Sequence, residues 1–147
     1  MKALDIYNNS IPSNINRISG IVSDVINNLQ NNCLLLDECT LFELKVILNE
    51  VLINAIKHGN KEDESKFVKV NVGIVKNDLA YIIVEDEGNG YGYDCFCLNQ
   101  KAINEESDTC SVMESGRGIL IVNSLCDSIR VNTRGNKIVL LKTLKRI

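Results

Sequence analysis

Three segments of the chain combine residue types that chemistry uses. The first runs from Glu43 to Gly59 and carries Glu43, Glu50, Asn54 and Lys57 at successive intervals of seven, four and three. On a helix that spacing places all four on one stripe. A polar stripe is the usual solvated face of a surface helix, but Asn54 interrupts the apolar run Val51-Leu52-Ile53-Asn54-Ala55-Ile56. A carboxylate and an amide one turn apart form an oxygen-rich site that suits Mg²⁺, which keeps several waters and completes its shell with phosphate. The second segment is Val84-Glu85-Asp86-Glu87-Gly88-Asn89-Gly90. An acid followed by glycines lets the backbone pass close to a flat ligand, and Asp86 can accept a hydrogen bond from an exocyclic amine such as that of adenine. The same pattern also suits a plain turn. The third segment is Glu114-Ser115-Gly116-Arg117-Gly118-Ile119-Leu120. Glycines opening an apolar helix offer free N–H groups and the positive helix end to an anion, and Arg117 adds a bidentate phosphate donor. Other phosphate-binding patterns are excluded. No G-K-[ST] occurs, and no strand, G-x-G-x-x-G and helix follow one another.

The elements that must position these residues can be read from periodicity. Residues 3–11 suit an edge strand. From Asn14 to Leu29 apolar residues recur at three and four, with Ser13 or Asn14 as N-cap, which predicts a helix ended by Asn31-Asn32. A second helix is predicted from Asp37 to His58, stopped by His58-Gly59-Asn60. Phe67 to Val75 alternates, with Val68, Val70, Val72 and Ile74 on one face. Asn77-Asp78 is a turn, and Leu79 to Glu85 completes a hairpin. A long loop with a polar middle follows, then a helix from Ile119 to Cys126 and strands at 128–133 and 137–144 joined by Arg134-Gly135-Asn136. Helices segregated from hairpins predict an α+β two-layer sandwich, a mixed and mostly antiparallel sheet covered by helices on one face, rather than a doubly wound sheet.

Composition narrows the class of protein. The 147 residues are 45% hydrophobic and 24% charged, as expected of one globular domain over 1–147. Sixteen basic residues against nineteen acidic ones give a net charge of -3, which argues against a strongly basic nucleic-acid or membrane-surface protein. No apolar run reaches the roughly 18–20 residues of a membrane span. Met1-Lys2-Ala3-Leu4-Asp5 lacks the apolar core of a signal peptide, so a cytoplasmic protein is expected. The six cysteines are Cys33, Cys39, Cys95, Cys97, Cys110 and Cys126. They offer one close pair where a zinc site wants two, and they read as reduced thiols, with Cys33, Cys39 and Cys126 as small core hydrophobes.

Taken together, in this order and spacing, the three segments resemble the GHKL (Bergerat-fold) ATPases, the superfamily of gyrase B, histidine kinases and MutL, over roughly residues 10–145. The helix segment resembles the N-box, Asp86 to Gly90 the first glycine box, and Gly116 to Gly118 the second. Within the superfamily, the compact size and the run Asn49 to Gly59 are most similar to the anti-sigma-factor serine/threonine kinases of Gram-positive bacteria. The resemblance implies ATP and Mg²⁺ as cofactors. It implies Glu50 as general base, Asn54 as the Mg²⁺ ligand and Asp86 as reader of the adenine amine. Gly88 and Gly90 would shape that pocket, and Gly116 and Gly118 would give N–H groups to phosphate. Arg117 would stabilise charge during transfer, beneath an ATP lid over about 92–115. Lys57 matches an N-box lysine of many histidine kinases, which implies a phosphate contact; an exposed helix-end lysine reads equally well. The implied partners are an anti-anti-sigma (STAS-type) protein and a sigma factor, with a homodimer favoured and the 14–29 helix as a candidate surface. The last-strand turn departs from the family, because Gly135-Asn136-Lys137 lacks the threonine common there. His58, the single histidine, reads as a helix-end packing residue. With no phosphoacceptor histidine on a separate helix before residue 37, a self-sufficient histidine kinase is not expected. The alternative functions are a nucleotide-gated regulator, or a free-standing histidine-kinase-like ATPase domain, with no transfer to serine.

Overall fold

The computed structural model describes residues 3–33, 35–76, 78–88 and 114–147. Strand β1 (Ala3–Pro12) leads through a short 3-10 turn into helix α1 (Ile18–Cys33) and helix α2 (Glu38–Ile53). Strands β2 (Phe67–Val75) and β3 (Leu79–Glu85) follow as a hairpin, then helix α3 (Glu114–Leu125) and strands β4 (Ser128–Val131) and β5 (Lys137–Thr143). The sheet order is β1-β2-β3-β5-β4, and every pairing among the described residues is antiparallel. The α+β sandwich expected from the sequence is the observed architecture.

Strand alternation builds the core. Val68, Val70 and Val72 of β2, Ala80, Ile82 and Val84 of β3, and Ile138 and Leu140 of β5 are all buried on one face. Leu44, Ile47, Leu48, Val51 and Leu52 of α2 and Val25 and Leu29 of α1 are buried in the same apolar cluster. Helix α2 contacts both α1 and α3. Its start is set by Asp37, whose carboxylate accepts the Thr40 N–H at 2.8 Å. The Thr40 hydroxyl and this N–H bond together hold the Asp37 carboxyl below the usual carboxylate range.

Helix ends depart from the periodicity reading. Asn31-Asn32 does not stop α1, because Asn32 Nδ2 donates back to the Asn28 carbonyl at 2.8 Å and Asn28 Nδ2 ties the helix to the Ile6 carbonyl of β1 at 2.8 Å. Helix α3 begins at Glu114, five residues ahead of the expected Ile119, and so takes in Gly116, Arg117 and Gly118. Packing of Ile119 and Val122, at 1% and 0% exposure, outweighs the low helix propensity of the glycines. Cys39, expected in the core, is exposed in the first turn of α2; Cys126 is half-buried, and burial pushes its thiol up to about 12, so it is unreactive. The side chain of Cys33, together with Cys95, Cys97 and Cys110, lies outside the described residues.

One member of the polar stripe serves the fold. Glu43 pairs with Lys142 of β5 at 2.5 Å, and Lys142, 7% exposed, also donates to the Leu125 carbonyl at the end of α3 at 2.7 Å. A buried ammonium needs such partners. This one joins α2, α3 and β5, the elements that flank the site.

Candidate functional site

The predicted N-box helix changes character where chemistry was expected. The α-helix gives way after Ile53 to a π turn, Asn54–Gly59, closed by Asn60, whose N–H reaches the Ala55 carbonyl at 2.8 Å. Single π turns in helices are frequent at functional sites. The turn buries Asn54, Ala55, Ile56 and Gly59, leaves His58 half-buried and Lys57 exposed. Asn54 is 1% exposed, yet neither its Oδ1 nor its Nδ2 has a hydrogen-bond partner among the described residues. A buried amide with both ends unpaired is costly and marks a place where a ligand, ion or ordered water completes the set.

Two neighbours converge on this turn. Gly59 packs on the loop after β3 so tightly that a methyl group there would lie 2.3 Å from Asp86 Oδ2, and one on Gly88 would lie 2.1 Å from the Gly59 carbonyl oxygen. Both positions need glycine because of this close approach. One turn back on α2, the half-buried Glu50 faces α3, where a methyl on Gly118 would meet Glu50 Oε1 at 2.1 Å. The structure therefore brings Glu50, Asn54, Asp86, Gly88 and Gly118 to one end of α2. Gly116 lies in the first turn of α3, where N–H groups have no intrahelical partner. The Arg117 side chain, Gly90 and most of the expected 92–115 lid lie outside the described residues.

Asp86 is the electrostatic centre of the site. It is 3% exposed, on the helix-facing side of the sheet, and its Oδ1 accepts the Gly88 N–H at 2.7 Å. Burial pushes its carboxyl up to about 6, with Glu85 adding to the rise; the Gly88 bond and the charges of Arg134 and Lys66 oppose it. Between the ordinary value of 3.8 and about 6 the folded chain keeps a proton that the unfolded chain has released. Stability from this group is therefore present in full below about 4 and is lost as pH rises to about 6. The expected result is that the urea midpoint of wild type, relative to Asp86→Asn, falls across that window. A constant difference would show that Asp86 titrates normally.

Two residues of this region had no place in the motif reading, Asn60 and Asn136. Both are buried, at 1% and 5% exposure, and both hydrogen-bond to the backbone around Asp86. Their only sequence signal was an asparagine after glycine, which reads as a turn. Asn136 stands where the family threonine was missed. A cleft of about 530 Å³, lined by Phe67, Lys69, Glu85, Asp86, Glu87, Arg134 and Asn136, opens at this end of the sheet. Strand alternation puts Lys69 and Glu85 on the face away from the helices, and none of Glu50, Asn54 or Gly118 lines that cleft.

The sequence and the fold have counterparts among known proteins. The chain is 28% identical over 103 residues to the serine-protein kinase RsbW of Bacillus subtilis (strain 168), a match covering 69% of this chain and 64% of that protein. It therefore spans a little under two thirds of that relative's length. It is 29% identical over 108 residues to the anti-sigma F factor of Clostridium novyi (strain NT), covering 71% of this chain and 72% of that protein. Among solved structures, the histidine kinase domain of the Erythrobacter litoralis EL346 blue-light activated histidine kinase shares the fold, with a TM-score of 0.51 at 21% identity over 99% of this chain and 65% of that one. The profile of the histidine kinase-like ATPase domain matches residues 11–142, nearly the whole of the sandwich and all of its clustered polar residues, and the chain belongs to that family.

Proposed function

We propose that this chain is a single-domain, ATP-binding protein serine/threonine kinase of the anti-sigma-factor type. The observation that carries the reading is the convergence at one end of α2 of Glu50, buried Asp86 and buried Asn54, whose amide has no partner among the described residues. The adenine amine donates to Asp86, between Gly88 and Gly90. The polyphosphate lies toward the start of α3, where Gly116, Gly118 and Arg117 meet it, and Lys57 reaches it from the π turn. Glu50 takes the proton of the acceptor hydroxyl as the hydroxyl oxygen bonds to the γ-phosphorus and the bond to the β-phosphate oxygen breaks, leaving ADP. Mg²⁺ fits the site: the buried Asn54 amide oxygen, without a partner among the described residues, is a hard donor for an ion that takes the rest of its shell from water and phosphate. When bound it would neutralise charge on the phosphates, and Asn54 would hold it.

Two partners are proposed, and the names of two relatives, an anti-sigma F factor and a serine-protein kinase, support a sigma factor as one and transfer to a protein serine as the reaction with the other. The partners are a sigma factor, which the chain sequesters, and an anti-anti-sigma (STAS-type) protein, which it phosphorylates. We further propose a homodimer acting in the cytoplasm without contact to nucleic acid. No helix among the described residues is long and apolar enough to cross a membrane. Transfer of labelled γ-phosphate from ATP to an anti-anti-sigma protein tests the reading. ATP binding with partner release but no transfer would favour a nucleotide-gated regulator instead.

A further inference from the structure

Two asparagines outside the three motifs hold the backbone on which Asp86 stands. Asn136, entering β5, donates through Nδ2 to the Asp86 carbonyl at 2.8 Å, and its own carbonyl accepts the Asp86 N–H at 2.9 Å. Asn60, ending the π turn, accepts the Glu87 N–H through Oδ1 at 2.8 Å. Its Nδ2 donates to Ser13 Oγ at 2.8 Å and to the Phe67 carbonyl at 3.1 Å, and Ser13 Oγ donates on to the Lys66 carbonyl at 2.7 Å. Asn136 is itself held, since its Oδ1 accepts from Asn132 Nδ2 at 2.8 Å. The polar groups of the Asp86 backbone and the next N–H are thus claimed by side chains or backbone 50 and 27 residues away in sequence. A buried amide with its donors and acceptor engaged cannot turn without leaving polar groups unpaired.

Resting on the nucleotide reading above, we propose that Asn136 and Asn60 are positioning residues that set the preference for adenine over guanine nucleotides. Adenine presents an amine where guanine presents a carbonyl, so the first meets the Asp86 carboxylate as a donor and the second as an opposing acceptor. That contrast has force only while the carboxylate is held in place and dry. Its Oδ1 is already turned to the Gly88 N–H, and Gly59 closes on Oδ2, so the remaining freedom lies in the peptide groups that the two asparagines fix. If they are released, the carboxylate can move away from guanine and hydrate, and both the gain for adenine and the penalty for guanine shrink.

The test is calorimetric titration of Mg·ADP and Mg·GDP into wild type, Asn136→Ala and Asn60→Ala. Wild type is expected to prefer ADP, and each variant to narrow the ratio of the two dissociation constants by about tenfold. A merely structural role would reduce the folded fraction and scale both affinities alike, leaving the ratio unchanged; that result in both variants overturns the proposal. If one variant does not fold, the other carries the test, because each removes a separate bracket. A wild type that binds ADP selectively while the variants keep its ratio refutes the positioning role alone. A wild type that binds neither nucleotide refutes the nucleotide reading itself.

Discussion

Glu50→Gln is expected to slow phosphoryl transfer by about a hundredfold to ten-thousandfold, the usual contribution of a positioned general base, while leaving ADP affinity nearly unchanged. Glutamine keeps the size and hydrogen-bonding reach of the side chain and removes only its ability to take a proton. Glu50 is half-buried on α2 and turned toward Gly118, near the start of α3. A companion variant separates chemistry from packing. In Gly118→Ala the new methyl would meet Glu50 Oε1, the far end of a flexible side chain, so the chain still folds but the carboxylate is displaced. Transfer should fall there as well, with stability changed by about 1 kcal/mol or less. Single-turnover transfer assays with ADP titrations read both effects. Unchanged transfer in Glu50→Gln would mean that another group, or none, accepts the hydroxyl proton.

Asp86→Asn should weaken ADP binding by about ten- to a hundredfold, the range for losing a hydrogen bond to a charged group. The same substitution should not destabilise the unliganded protein at pH 7, and should raise its urea midpoint. Burial raises the Asp86 carboxyl to about 6, so at neutral pH the fold holds an ionised group that its surroundings disfavour. The carboxamide is spared that cost and keeps an oxygen for the Gly88 N–H. Loss of binding together with a gain in stability is what a residue kept for function produces. A structural aspartate would show the reverse, with stability falling and affinity following it.

The sheet was legible because its signals are local. Alternating valines bounded by a turn placed β2 at 67–75 and β3 at 79–85, the observed limits. Helix ends were less legible, because distant contacts decide them. Asn32 reads as punctuation until its bond to the Asn28 carbonyl is seen, and Gly116 and Gly118 read as a loop until Ile119 and Val122 pull the segment into the core. Spacing put Glu43 on the stripe of Glu50 and Asn54, and helical geometry allows that; only the fold shows that Lys142 claims it. The π turn left no trace in the periodicity. It carries the buried amide of Asn54, which has no partner among the described residues and which the sequence could identify only as a polar residue in an apolar run. Asn60 and Asn136 were illegible for a related reason: their partners lie 27 and 50 residues away, and nothing about asparagine after glycine announces a buried bracket.

The central claim is that the site transfers phosphate from ATP to a protein serine or threonine. Its most direct test incubates the purified chain with γ-labelled Mg·ATP and each anti-anti-sigma protein of the same genome, then treats the products with acid and with base. Phosphoserine and phosphothreonine survive acid, whereas phosphohistidine does not. The account predicts acid-stable label on one such acceptor, none on the chain itself, and loss of the signal in Glu50→Gln. Label that acid removes, or ATP bound and no acceptor labelled, would contradict it.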